Sequence, residues 1–229
     1  QWVPATLPPR QFRMILRTFT EAFPHAQLWY FLPARRLGPF NAILIGSETP
    51  IPIRLDELQA RFERRGPALA SLAPYGLTSA EALAPHFVAD EATIRPAVSD
   101  APLNTLAHPR YEFYHPWDYA RDQMRKIADN HGFIVDLKRQ GHAAYFKALG
   151  DDDPERLGNV FVAEFAYLEA FQQFLHGLSL TNHYRVFDQV LAMAPWNDSL
   201  RARIYSQYRY LADSQSDPAM RARLQQRAE

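Results

Sequence analysis

The sequence predicts a mixed α/β fold in which a short α/β segment precedes a long helical region. Two apolar runs of strand character, residues 25–32 and 40–46, follow an amphipathic helical stretch over residues 9–23. The chain opens on Gln1-Trp2-Val3, which has the pattern of a strand that is already ending. In the second half of the chain only helical periodicity is found.

The first helix is predicted by a stripe of apolar side chains at helical spacing. Prolines before the stripe suit a first turn, and Pro24 ends the helix. The stripe comprises Phe12, Ile15, Leu16, Phe19 and Phe23. The ending strand, this helix and the two later strands make an α/β unit, which predicts a parallel sheet with further strands to pair against. The sequence offers no candidates for those further strands.

Three short helices are expected after the second strand run. They are predicted over residues 55–65, 67–72 and 79–87, and the third begins with a capping box formed by Thr78 and Glu81. The stretch that follows is interrupted by four prolines and is expected to be irregular.

The tail is expected to consist of six helices. Two of them begin with an aspartate N-cap followed by proline, at Asp153-Pro154 and Asp217-Pro218. The last helices are consistent with one and a half tetratricopeptide-like units, and equally with a plain bundle. The predicted domains are an α/β part over residues 1–116 and a helical tail over 117–229. The predicted tail helices span residues 117–130, 133–148, 155–177, 182–193, 198–213 and 218–228.

The composition excludes some classes of protein. The 25 basic and 25 acidic side chains cancel, so the chain lacks the excess of Lys and Arg that is typical of nucleic-acid binders. Cysteine is absent, which excludes disulfides and thiolate chemistry. No run approaches the ~20 apolar residues that span a bilayer. We expect a cytoplasmic location, with membrane association only through segments upstream of this chain.

No motif of a catalytic or metal site is present. The eight histidines do not form a ligand spacing on a helix, so each is expected to be solvated or singly hydrogen-bonded. The acidic run Asp151-Asp152-Asp153 is interpreted as a helix start. The nine glycines never cluster into a nucleotide-binding loop. Trp29, Tyr30 and Phe31 either line a pocket or, more simply at strand spacing, place core on one face of a strand and a lid or partner contact on the other. The tail aromatics Phe161, Phe165, Tyr167, Phe171 and Phe174 are expected to be packing residues.

Several phrases, in order, carry a resemblance to a known family. QWVPATLPPRQFRMILRTFTEAFPHAQLWYFLP, then GPFNAILIGSETPIPI, then APLNTLAHPRYEFYHP resemble the second half of the catalytic domain of spermidine synthase-like proteins. The nearest branch is bacterial and is often fused to a membrane segment. The resemblance covers about residues 1–116 and implies a class I methyltransferase-like, Rossmann-like fold.

That family resemblance also implies what this chain lacks. Gln1-Trp2 would end the fifth strand, residues 9–23 would form the following helix, and residues 25–32 and 40–46 would be the antiparallel closing strands. The family's donor pocket and catalytic aspartate belong to earlier strands. No catalytic, cofactor-binding or metal-binding residue is therefore expected here. Decarboxylated S-adenosylmethionine or S-adenosylmethionine is implied as a cofactor only when the N-terminal half is present.

Two substrate-binding positions can be carried over from the family. Gln1 matches a glutamine that approaches the amine substrate, and Arg35 stands where the family has a tyrosine beside the diamine. A guanidinium there disfavours a cationic substrate, because like charges ~4 Å apart repel by ~1–4 kcal/mol. Leu106-Ala107 replaces an acidic pair in the C-terminal phrase, which removes further negative charge.

The expected function is therefore that of a C-terminal part of a spermidine synthase-like protein. Its parent would be an aminopropyl transferase or a diverged relative, and the chain alone is expected to be inactive. The alternative is a helical-repeat adaptor in a larger assembly, recognisable by a concave groove in the tail instead of a bundle packed on the sheet. The expected partners are the N-terminal half, another copy or a larger assembly, bound through exposed strand edges at Gln1–Val3 and residues 40–46.

Overall fold

A computed structural model describes residues 1–32, 40–70, 72, 77–110, 122–141, 154–177 and 180–228. Its strands are β1 (Trp2–Pro4), β2 (His25–Phe31), β3 (Asn41–Ser47) and β4 (Phe87–Asp90). The first five α-helices are α1 (Pro9–Ala22), α2 (Leu55–Arg64), α3 (Gly66–Leu69), α4 (Ala80–Leu83) and α5 (Glu91–Ala97), with a 3₁₀ turn at Ala84–His86. The later helices are α6 (Gln123–Gln140), α7 (Pro154–Leu175), α8 (Leu180–Met193), α9 (Asp198–Ser214) and α10 (Pro218–Arg227).

The strands form one sheet in the order β1-β3-β2-β4, and every strand pair in it is antiparallel. The prediction of a parallel sheet is therefore wrong for the described strands, whereas the antiparallel pairing that the resemblance implies for residues 25–32 and 40–46 is confirmed. Helix α1 does connect two parallel strands, β1 and β2, but β3 lies between them. The connection between β2 and β3 is short, and short connections join antiparallel neighbours, whereas parallel neighbours need a crossover of about a dozen residues.

Strand β4 and helix α5 lie where irregular structure was predicted. β4 pairs with β2 and follows the short helix α4, which ends at Leu83 instead of residue 87. Asp90 ends the strand and caps α5, because its carboxylate accepts a hydrogen bond from the backbone nitrogen of Thr93 at 3.1 Å. The cap of α4 is Ser79, which accepts from the nitrogen of Ala82, and not the predicted Thr78.

Helix α6 is continuous where two helices were predicted on either side of residue 132. Gly132 lies inside it and faces the Gln172 side chain of α7. A Cβ at this position would lie 2.8 Å from the side-chain nitrogen of Gln172. The glycine therefore does not end the helix, and the flexible Gln172 side chain is the neighbour that would have to move for a larger residue.

The described residues of the tail form helices joined by turns and contain no strand, as predicted. Asp217 caps α10 by accepting a hydrogen bond from the nitrogen of Ala219, while Asp153 lies outside the described residues. Helix α8 packs on α7, and α10 packs on α9. Of the tail aromatics, Phe161, Tyr167 and Phe171 are buried, and Phe165 and Phe174 pack against the core at its margin.

One apolar core runs through both parts of the chain. It extends from Val3 and Leu28 on the sheet, through Ile134 of α6 and Tyr167 of α7, to Leu224 in the last helix. The predicted boundary near residue 116 lies outside the described residues. The helical tail is therefore packed onto one face of the sheet through α6.

Strand β1 lies at one outer edge of the sheet. Just before β1, the backbone nitrogen of Gln1 donates to the carbonyl of Leu44 in β3, and the Gln1 carbonyl accepts from the Leu44 nitrogen, each at 2.9 Å. Because backbone hydrogen bonding alternates along a strand, the backbone groups of Trp2 and Pro4 point away from β3. Proline has no N–H to offer at this edge. The prediction of an exposed edge at residues 40–46 is wrong, since β3 lies between β1 and β2.

Candidate functional site

The two positions carried over from the family do not form a described site. Gln1 precedes β1, and its side-chain nitrogen donates to the carbonyl of its neighbour Trp2 at 2.9 Å on the protein surface. Arg35 lies outside the described residues. A role of either residue in binding a substrate therefore stays a prediction.

A groove of about 290 Å³ lies between the sheet and helix α2. Trp29 forms its floor, and the indole nitrogen donates to the side-chain oxygen of Gln27 at 3.1 Å. The amide nitrogen of Gln27 in turn donates to the carbonyl of Ile51 at 2.7 Å. These floor groups are already hydrogen-bonded, so the groove offers mainly apolar contact. Its remaining lining includes Phe31, Ile43, Ile45, Ile53, Leu58 and Arg61.

The same face of the sheet continues to an exposed apolar patch at its outer strand. Trp2 is 64% exposed and pairs across the sheet with Ile43, which in turn pairs with Trp29. Ile45, two residues further along β3, is 41% exposed. Residues paired across a sheet share a face, so Trp2, Ile43 and Ile45 form one surface, here called the open face. A sheet face of this kind is normally covered by another layer.

A larger cavity of about 650 Å³ opens between helices α1 and α6. The guanidinium of Arg13 lies 4.5 Å from the centre of the Phe133 ring. Asp129 and Asp136 also line the cavity, and Asp136 is paired with Arg139 at 2.8 Å. The lining carries side chains of both signs of charge.

A buried polar cluster joins the tail to the sheet. Glu164 of α7 and Arg203 of α9 form a two-pronged ion pair, with nitrogen–oxygen distances of 2.7 and 2.5 Å, and both are at most 2% exposed. The ammonium of Lys138, fully buried, donates to the carbonyls of Pro85 and Phe87 at 2.5 and 2.6 Å. A charge-bearing cluster inside a core is expensive and depends on close pairing.

The protonation of the buried cluster follows from its surroundings. Burial lowers the pKa of Lys138 to about 7, although the Glu164 carboxylate opposes this shift. Burial alone would raise the pKa of Glu164, but the charge and hydrogen bonds of Arg203 hold this pKa well below its usual range. Burial also lowers the pKa of His86 to about 3, so this imidazole is neutral. Its Nδ1 lies 3.0 Å from the carbonyl of Tyr30 and donates to it.

A second buried histidine lies in the core between α6 and β2. His131 was expected to be solvated or singly bonded, but its Nε2 donates to the carbonyl of Leu168 at 2.8 Å and its Nδ1 lies 3.1 Å from the Tyr30 hydroxyl. Burial lowers the pKa of His131 to about 4 and raises that of Tyr30. The imidazole is therefore neutral, and its Nδ1 accepts a hydrogen bond from the Tyr30 hydroxyl. This pair serves to position side chains within the core.

The sequence predictions missed the buried charges. A weak signal exists for Glu164, which stands alone among apolar residues in VFVAEFAYL. Lys138 is followed by the exposed Arg139, and nothing in LKRQ separates the buried cation from the exposed one. Arg203 likewise lies among other arginines. Their burial is set by partners that are distant in the sequence.

The described residues were searched for a metal site and for a membrane-spanning helix, and the chain was compared with known proteins. Among the described residues, no group of three or more His, Cys, Asp or Glu side chains could hold a metal ion. None of the described helices combines the length and apolarity needed to cross a bilayer. No protein-family model matches the chain, and neither a curated protein nor a solved structure shows significant similarity to it.

Proposed function

We propose that this chain is the closing part of a spermidine synthase-like α/β domain, extended by a helical tail, and that its role is to complete and support that domain. Catalysis and donor binding would then belong to other residues of the parent. The parent itself would be an aminopropyl transferase or a diverged relative that has lost this activity.

The element order supports this proposal. A short strand, helix α1 and two antiparallel strands follow one another as the resemblance implies, with β1 outermost in the sheet. The single observation that carries the proposal is the open face beside β1. Trp2 and Ile45 leave apolar area in water on a sheet face that a further layer of such a domain would cover, and an exposed apolar patch marks an interaction surface.

The helical-repeat adaptor is the second candidate. The exposed side chains of Met193 and Trp196, at the turn between α8 and α9, favour it because they could contact a partner. The apolar core that the sheet shares with the tail favours the first proposal instead, in which the tail supports the α/β domain. The described tail helices pack against one another and, through α6 and α7, against the rest of the chain. We therefore place the adaptor second.

Binding of the donor provides the first test. Isothermal titration of the purified chain with decarboxylated S-adenosylmethionine is expected to give no heat, because the donor loop is not among these residues. Micromolar binding would overturn the view that this part of the protein is only a scaffold.

Self-association provides the second test. Without the rest of the domain, the open face is expected to drive association, so light scattering during size exclusion should give masses above the 26.4 kDa of one chain. The substitutions Trp2→Glu and Ile45→Glu should restore the single-chain mass. Leu106→Glu is the matched control, because Leu106 is fully exposed and is not one of the residues of the open face. A stable monomer of the unaltered chain with a sharp melting transition would contradict the proposal.

A further inference from the structure

Lys138 connects helix α6 to the segment that leads into β4. Its ammonium holds two carbonyls of that segment, those of Pro85 and Phe87. The side chain is fully buried, and the ammonium also lies 5.0 Å from the centre of the Phe161 ring of α7. One side chain therefore contacts the sheet side and the tail side of the junction at the same time.

Other ionisable groups approach this junction from each neighbouring element. His86 of the 3₁₀ turn stacks on Phe31 of β2, with ring centres 4.5 Å apart. The charges of Arg203, Glu164 and Lys138 all act on the pKa of His86. Helix α7 supplies Glu164, and helix α9 supplies Arg203. The Tyr167 ring lies beneath the Arg203 guanidinium at 5.1 Å. Tyr167 stays neutral, since burial raises its pKa to about 12.

We propose that Lys138, His86, Glu164 and Arg203 form a proton-sensitive latch, in which loss of a proton from Lys138 tightens the junction between the helical tail and the sheet. With Lys138 protonated, the four groups carry two positive charges and one negative charge. With Lys138 neutral, the Glu164–Arg203 pair is balanced, and the amine still has two N–H groups for the same two carbonyls. The excess buried charge is thus removed without losing the described hydrogen bonds.

The direction of the pH effect follows from the two states of the chain. In the unfolded chain Lys138 has its ordinary pKa of 10.5, and in the folded chain burial lowers that pKa to about 7. Between these values the unfolded chain binds one more proton than the folded chain. Raising the pH from 7 therefore stabilises the fold, by up to about tenfold in the unfolding constant for each pH unit.

The proposal is tested on the full chain by urea unfolding at pH values from 7.5 to 9. The unfolding constant of the unaltered protein should fall about tenfold for each pH unit. In Lys138→Met, which keeps a flexible apolar side chain of similar length, this slope should disappear, whatever the change in overall stability. Lys126→Met is the matched control on the same helix and should keep the slope.

A direct titration keeps the proposal falsifiable if Lys138→Met fails to fold. The chain has only three lysines, at positions 126, 138 and 147, so their side-chain carbon signals can be followed by NMR. One signal should titrate near pH 7 in the folded protein and should move to the ordinary range in urea. A flat unfolding constant between pH 7.5 and 9, a slope that survives in Lys138→Met, or three lysine signals that remain unchanged through pH 7 would each overturn the latch.

Discussion

The two outer strands of the sheet, β1 and β4, are protected by different means. Strand β1 is only three residues long and carries Pro4, so little of its backbone can pair with another strand. Strand β4 is covered by helix α6, whose Lys138 holds carbonyls leading into the strand and whose final turn reaches Gly141. The protection of β1 is local in sequence, whereas that of β4 depends on a helix some fifty residues away.

The comparison shows which half of the sheet depends on the tail. Damage to the buried cluster or to the end of α6 should loosen the β4 side and lower the stability of the whole chain, because one core joins the two. Changes at β1 should affect association and leave stability nearly unaltered. The following predictions run from the largest expected effect to the smallest.

Breaking the buried ion pair should have the largest effect. Glu164→Gln leaves the Arg203 guanidinium buried without a charged partner and should lower the free energy of unfolding by about 3–5 kcal/mol. Urea denaturation measures the loss. The double variant Glu164→Leu/Arg203→Met should recover much of the stability, because it removes both charges. If Glu164→Gln unfolds at the same urea concentration as the unaltered chain, the pair does not hold the tail.

Acid should weaken the junction through its neutral histidines. The pKa of His131 is about 4 in the folded chain and 6.5 ordinarily, so its contribution is complete above pH 6.5 and is lost as the pH falls through 4. This single group should remove about 3 kcal/mol by pH 4, and His86 acts in the same direction with a folded pKa of about 3.

Thermal unfolding between pH 7 and 4 checks the acid prediction. His131→Gln should flatten the acid side of the profile, whereas His108→Gln, at an exposed position, should leave it unchanged. An acid profile that His131→Gln does not alter would assign the loss to other groups.

A methyl group at the end of α6 should disturb the cover of β4. Gly141→Ala would place Cβ 2.7 Å from the carbonyl oxygen of Val88, and this backbone neighbour cannot simply rotate away. We expect a loss of about 1–3 kcal/mol in urea denaturation. Gly66→Ala is the control, because nothing lies within 4 Å of a Cβ there. Equal stability of the two variants would show that α6 does not pack tightly on β4.

The smallest effect on stability is expected at β1. Pro4→Val adds an outward N–H and a β-branched side chain, so the strand becomes a better template for pairing. The free energy of unfolding should change by less than about 0.5 kcal/mol, as for most surface substitutions. Light scattering at increasing concentration should show stronger association than for the unaltered chain. Unchanged association would mean that the side chains of the open face, and not the backbone edge, drive it.

Local patterns predicted the elements whose ends carry their own signals. Helix α1 is bounded by Pro8 and Pro24, and the strands β2 and β3 are apolar runs of seven residues that differ from the predicted runs by one residue at the ends. Strand β4 was missed because four residues are too few to show a period. Helix α5 was missed because Pro96 lies inside it, where the rules place a helix end.

Local sequence patterns did not predict which polar residues are buried. His86 and His131 were expected to be solvated or singly hydrogen-bonded, because a single histidine in a sequence does not show whether helices will close over it. Both are buried; His86 has one described hydrogen bond, within the expectation, whereas His131 has two. The groove was anticipated in part, since Trp29, Tyr30 and Phe31 were expected either to line a pocket or to divide between core and a second face. Tyr30 is in the main core, and Trp29 and Phe31 line the groove.

The sequence by itself determined where most helices and strands lie, because caps, prolines and apolar periodicity act within a few residues of the backbone they control. The tertiary structure alone decided that β3 lies between β1 and β2, and that Lys138, Glu164 and Arg203 meet in the core. Strand order and buried charge pairing depend on contacts between residues that are distant in the sequence. Glu164 and Arg203 are 39 positions apart, and Lys138 and Pro85 are 53 positions apart. Such contacts are selected by the packing of the whole chain.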